Sequence, residues 1–130
     1  MKPSNFQFTN PYLKEISFTI NSDFDVNIVK TDIEIENAFN VNIEREENSN
    51  EANVELELQV NNENENVPFK LQIKVASHFK WKNLDEETIV SMLKVNAPAL
   101  LLGYMRPIVA NITNASIFPA YNLPFMNFNE

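Results

Sequence analysis

The chain has 130 residues, 44% of them hydrophobic, a formal net charge of −8, one glycine and no cysteine. That size and apolar content suit one domain over residues 1–130, and the acidity argues against a nucleic-acid partner or a polybasic membrane anchor. Without cysteine there is no disulfide, thiolate metal site or Cys nucleophile, and one glycine cannot build a phosphate-cradling loop, so asparagine is expected at many turns.

The N-terminal MKPSNFQFTNPYLKEISF has no continuous apolar stretch, so no signal peptide is expected. The longest apolar run, APALLLGYM, is too short to span a bilayer. A soluble, cytoplasmic protein without membrane insertion is the expectation. Period-two alternation then dominates. Ile16, Phe18 and Ile20 alternate with Glu15, Ser17 and Thr19. Ile33, Ile35, Phe39, Val41 and Ile43 share one parity, with Glu34, Glu36, Asn40, Asn42 and Glu44 between them. Val54, Leu56, Leu58 and Val60 form a third apolar face. Val67, Phe69, Leu71, Ile73, Val75, Phe79 and Trp81 form a fourth, against Lys70, Gln72, Lys74, Lys80 and Lys82. The polar links EENSNEAN and NNENEN have hairpin length, so strands two to four should form an antiparallel meander. Glutamates on strands two and three and lysines on strand four predict cross-strand Glu–Lys pairs.

After Trp81 the period changes. LDEETIVSMLKV places Asp85 as an N-cap and Ile89, Met92 and Leu93 on one helical face. Asn96-Ala97-Pro98 reads as a second helix start, with Pro98 in its first turn. Tyr104 joins Leu101, Met105, Ile108 and Ile112 in a stripe, widened by Leu102 and Val109; Pro107 inside it invites a kink. A helix this apolar should contact something on both sides, so Leu101, Leu102, Met105, Ile108, Val109 and Ile112 are the expected homo-oligomer interface. The last stretch, SIFPAYNLPFMNF, holds Phe118, Tyr121, Phe125 and Phe128 with two prolines and no charge. It cannot be an ordinary helix, and its aromatics need cover. The fold class predicted is α+β: a four-stranded antiparallel sheet followed by a helical C-terminal region.

No catalytic constellation emerges. The one histidine, His78, ends strand four and cannot build a multi-histidine metal site. Ser91 and Ser116 lie near no nucleophile elbow, and the carboxylates alternate along solvated strand faces. A non-enzyme without metal or cofactor is expected.

The C-terminal third, NAPALLLGYMRPIVANITNASIFPAYNLPFMNF, resembles the SecB export chaperone family. Pro98, Tyr104, Arg106, Phe118, Pro119, Asn122, Leu123, Asn127 and Phe128 fall on that family's spacing, and YLKEISF is similar to its first-strand motif. The resemblance covers roughly residues 12 to 128. It implies an ATP-independent chaperone that holds unfolded preproteins in an apolar groove and assembles as a dimer of dimers through its long helices. Phe69 and Tyr104 match family aromatics. Phe118 and Phe125 lie in the stretch that resembles the helix-connecting loop, so these four are the expected client-binding residues. Each could instead seal the core. In the family, two acids of the first-strand motif touch the SecA motor; here Glu15 remains and Thr19 stands at the second position. Known members also continue past NF into a second helix and an acidic tail, so contact with SecA is expected to be weak, with Glu15 its residue. A chaperone dedicated to a single client such as an antitoxin, and a non-chaperone oligomeric adaptor, are the competing readings.

Overall fold

The alternating segments form one antiparallel sheet in a computed structural model that describes residues 1–24 and 35–129. The expected beginning of the second alternating segment, Ile33 and Glu34, lies outside the described residues. The strands are β1 (Phe6–Phe8), β2 (Tyr12–Ile20), β3 (Asn37–Glu44), β4 (Glu51–Val60) and β5 (Phe69–Trp81). Strands β2 to β5 are the four read from alternation. β1 is an addition, too short at three residues for its Phe-Gln-Phe alternation to declare it.

β5 is the hub. β4 pairs along one side of it, and β3 pairs with β4. Along the other side β1 and β2 lie end to end, β1 opposite Phe79–Trp81 and β2 opposite Phe69–Ala76. Register sets the faces, because side chains directly opposite share one side of the sheet. Leu56, Leu58 and Val60 lie opposite Val75, Ile73 and Leu71, and all six are buried. The other face carries Glu57 opposite Lys74 and Glu15 opposite Lys74 from the other side. The Lys74 ammonium stands 3.4 Å from Glu15 and 3.5 Å from Glu57, the predicted cross-strand pairing. Lys14, at a bulge in β2, reaches across to Glu55 at 2.7 Å.

Asparagine takes the turns that glycine usually takes. Asn48, Asn61 and Asn83 all have positive φ, a region that asparagine tolerates better than most side chains. Asn61 is buried and fully used. Its backbone N–H donates to Glu36 C=O, its Oδ1 accepts from Glu36 N–H at 3.0 Å, and its Nδ2 donates to Phe69 C=O at 3.1 Å. It thereby ties the approach to β3 to the start of β5.

Helix α1 (Glu86–Ser91) begins at Asp85, whose carboxylate accepts from Thr88 N–H at 2.7 Å. The two helices are not separated as the sequence suggests. A π-turn over Met92–Asn96 joins α1 directly to α2 (Ala97–Asn114). Pro98 has no N–H to offer Lys94, and the wider turn, closed by Ala97 N–H on Met92 C=O, absorbs that break. The continuous run Glu86–Asn114 is therefore 29 residues, and by length and composition it is apolar enough to cross a membrane, unlike the shorter run read from the sequence. Here its inward residues Ile89, Leu93, Leu101, Leu102, Met105 and Val109 belong to the buried core beneath β4 and β5.

Candidate functional site

From Ala115 the chain leaves α2 and returns over the start of β5. It is held there by burial of Phe118 and Leu123 in the core and by polar ties. Thr113, buried at the last turn of α2, accepts from Tyr121 N–H on Oγ1 at 2.7 Å while donating to Val109 C=O. The Tyr121 hydroxyl accepts from Asn37 Nδ2 at 2.6 Å. Arg106 reaches out from α2 and donates to the carbonyls of Leu123 and Pro124. Prolines and a lack of charge make the tail irregular; these ties make it ordered.

The ties place aromatics against one another. Phe118 and Tyr121 stand 6.2 and 6.4 Å from Phe69, ring centre to ring centre. Phe18 of β2 lies on Phe69 at 5.5 Å, and Phe24 meets Phe118 edge-on at 6.4 Å. Phe69, Phe118 and Tyr121, with Ile35, Pro68 and Pro119, line a narrow apolar cleft of about 100 Å³. On the same tail Phe125 is 99% exposed and Ile117 59%. The Arg106 guanidinium lies over the Phe125 ring, 5.6 Å from its centre.

The four expected client-binding aromatics therefore take three different places. Phe69 and Phe118 are buried together at the cleft. Phe125 projects from the tail. Tyr104 is 44% exposed on α2 and packs edge-on against Phe8 of β1 at 6.5 Å, away from the other three. Tyr121, Thr113, Asn37 and Arg106 were not among the expected site residues. Arg106 and Tyr121 carried a signal, a cation on the spacing of the resembled family and a ring inside an uncharged aromatic tail, but only the folded path shows what they hold.

A second apolar surface runs beside α2. Nothing in the described chain covers the inward side of β2, so Leu13, Ile16 and Ile20 remain exposed. Phe18 and Ile20 face Ile112 and Ala115 across an open apolar cleft of about 340 Å³. Of the six residues expected between copies, Leu101, Leu102, Met105 and Val109 are already buried on this chain's own sheet. Ile108 and Ile112 are only half-buried, and Ile112 borders the β2 side.

The outer face carries ion pairs and a small polar cavity of about 130 Å³ lined by Tyr12, Lys14, Asn42, Glu44, Asn53 and Glu55. Glu15 lies there, half-exposed and paired with Lys74. Its hydrogen bond holds the Lys74 ammonium above the ordinary lysine value, and Glu55 does the same to Lys14. His78 sits between Asn53 Oδ1, 2.7 Å from Nδ1, and Glu51, 3.5 Å from Nε2. Among the described residues no cluster of three or more acidic or histidine side chains has the arrangement to hold a metal ion.

Comparison with known proteins agrees with this architecture. The family model described as "Preprotein translocase subunit SecB" matches residues 1–130. Among solved structures, the chain is similar to a SecB-like chaperone from Mycobacterium tuberculosis, solved in complex with a ChAD peptide from the HigA1 antitoxin. The TM-score is 0.73 at 14% identity, over 94% of this chain and 91% of that one. A protein of unknown function from Streptococcus agalactiae aligns at a TM-score of 0.49 and 10% identity, over 92% of this chain and 97% of that one.

Proposed function

Because the chain belongs to the SecB family, we propose that it is an ATP-independent holdase chaperone, residues 1–130 working as one unit that keeps polypeptides unfolded. The observation that carries this reading is the aromatic tail. It is pinned by Arg106, Thr113 and Asn37 so that Phe69, Phe118 and Tyr121 wall an apolar cleft while Phe125 and Ile117 stay in solvent. A fully exposed phenylalanine on the tail that walls an apolar cleft is what an extended apolar client segment would cover. Burial of this kind is non-directional, so the site selects aromatic and aliphatic content over sequence. The work done is binding, with no chemical step and no cofactor.

A narrower reading, one dedicated client, is favoured by the antitoxin peptide in the mycobacterial relative. Titration of a reduced, unfolded polypeptide and of its native form into the protein tests the general reading. Binding of the unfolded form alone is expected; equal affinity for the native form would contradict it.

Self-association in the cytoplasm completes the proposal. Phe18, Ile20 and Ile112 share an open apolar cleft, Leu13 and Ile16 are exposed further along β2, and a second copy would cover them. A dimer is the minimum and a tetramer the larger assembly. Contact with the SecA motor, if made, runs through Glu15 and must displace Lys74, so it should be weak and salt-sensitive.

A further inference from the structure

A chemically different cleft lies at the other end of β5 from the aromatic one. It measures about 530 Å³ and opens between the segment before β1 and the end of β5. Lys2, Lys80 and Lys82 line it, with Asn5, Gln7 and Trp81, and no carboxylate does. Strand alternation explains the grouping. Phe79 and Trp81 turn into the core, so Lys80 and Lys82 turn out, and Gln7 of β1 lies opposite Lys80.

The chain is strongly acidic, and most of its cations near the sheet are answered. Lys14, Arg45, Lys70 and Lys74 each contact a glutamate. Lys2, Lys80 and Lys82 make no ion pair among the described residues. Glu51 lies opposite Lys80 in register, but its carboxylate is turned to His78, 3.5 Å away. Trp81, which borders the same cleft, has a buried indole N–H with no acceptor among the described residues. Three unanswered ammonium groups, the Asn5 amide, the Gln7 amide with one N–H already given to Ser4 C=O, and a wide opening thus occur together on an acidic chain.

We propose that this cleft binds a short acidic polypeptide segment, its carboxylates taking the three lysines as partners and the amides of Asn5 and Gln7 donating to them. This goes beyond holding apolar segments and does not depend on the aromatic cleft. Charge complementarity identifies the occupant. A nucleic acid carries one charge per about 1.7 Å of duplex and would extend past three lysines onto the acidic remainder. A short glutamate-rich stretch fits within the cationic patch, and such pairing chiefly governs selectivity and salt response.

Trp81 is the only tryptophan in the chain, and although its ring is turned into the core it borders this cleft between Lys80 and Lys82, so its emission is followed as a nearby reporter. The probe is a blocked octaglutamate peptide, labelled for anisotropy and titrated into the full chain at low salt while Trp81 emission is followed. Saturable binding that shifts the emission and weakens at least tenfold on raising salt from 50 to about 200 mM is expected from release of the paired ions. The exposed pair K80Q/K82Q should lower affinity at least tenfold with an unchanged melting curve, and K82Q alone by a smaller factor. No saturable binding, binding that leaves Trp81 emission unmoved and survives K80Q/K82Q, or equal affinity for octathymidylate would each overturn the proposal.

Discussion

Truncating Phe118 and Phe125 to alanine separates a wall of the core from a side chain free to meet a client. Phe118 is 5% exposed and packs against Phe69 and Phe24, so Phe118→Ala removes a buried ring and leaves a cavity. Such truncations cost about 3–5 kcal/mol. In a chain of this length each kcal/mol lowers the melting temperature by a few degrees, so a fall of roughly 10–20 °C is expected. Phe125 is 99% exposed and lies under the Arg106 guanidinium, outside the core, so Phe125→Ala should melt within a degree or two of wild type. Its effect belongs to the bound state. If a client segment covers the ring, the lost burial is about 1.5–3 kcal/mol, or roughly tenfold to 150-fold in client affinity. Calorimetric melting and titration of one unfolded client on both variants separate these outcomes. A Phe125→Ala protein that melts as low as Phe118→Ala, or that binds the client as tightly as wild type, would refute the reasoning.

Arg106→Met keeps the aliphatic stem and removes both hydrogen bonds to the tail carbonyls. Amide exchange over residues 121–128 should quicken while the sheet stays protected, with about 1 kcal/mol of global loss because the guanidinium is part-exposed; unchanged exchange would show the tail is held otherwise. Asn61→Gly keeps the positive φ but leaves Glu36 N–H and Phe69 C=O without their side-chain partners, about 1–3 kcal/mol for each group left buried. Asn61→Ala adds the left-handed penalty of about 1–2 kcal/mol, so urea midpoints should fall in the order wild type, glycine, alanine. The Asp85 carboxyl is held below its ordinary value by Thr88, through its side chain first and its backbone N–H second. Its stabilising effect is therefore present above the unfolded value, 3.8, and is lost as pH falls through the lowered folded value. Asp85→Asn keeps a capping oxygen without the charge, so its acid-unfolding curve should be flatter than wild type over that window; an identical curve would remove Asp85 from the account.

Strand faces were legible because parity is a local property. The odd positions Phe39, Val41 and Ile43 and the even positions Val54, Leu56 and Leu58 came out facing one another in register. The Glu57–Lys74 pairing followed from the same count. What escaped was decided by geometry at a distance. The joining of α1 to α2 hinges on a π-turn that relieves Pro98, where a proline more often marks a start. The stripe on α2 looked two-sided because Leu102 and Val109 widen it, yet four of its six residues serve this chain's own sheet. The surface left bare is on β2, whose alternation gave no sign that its inward side would lack a cover. The tail's aromatics were visible as a group. Their division into buried Phe118 and exposed Phe125 depends on where Arg106 and Thr113 catch the backbone.

The central claim, that this protein holds unfolded chains without nucleotide, is tested most directly by aggregation suppression. A reduced, unfolded client is diluted into buffer with and without equimolar protein, no ATP is added, and light scattering is followed. The account predicts that scattering is suppressed in proportion to added protein and that Phe125→Ala, still folded, suppresses it less. Scattering that rises at the same rate with and without the protein would contradict it.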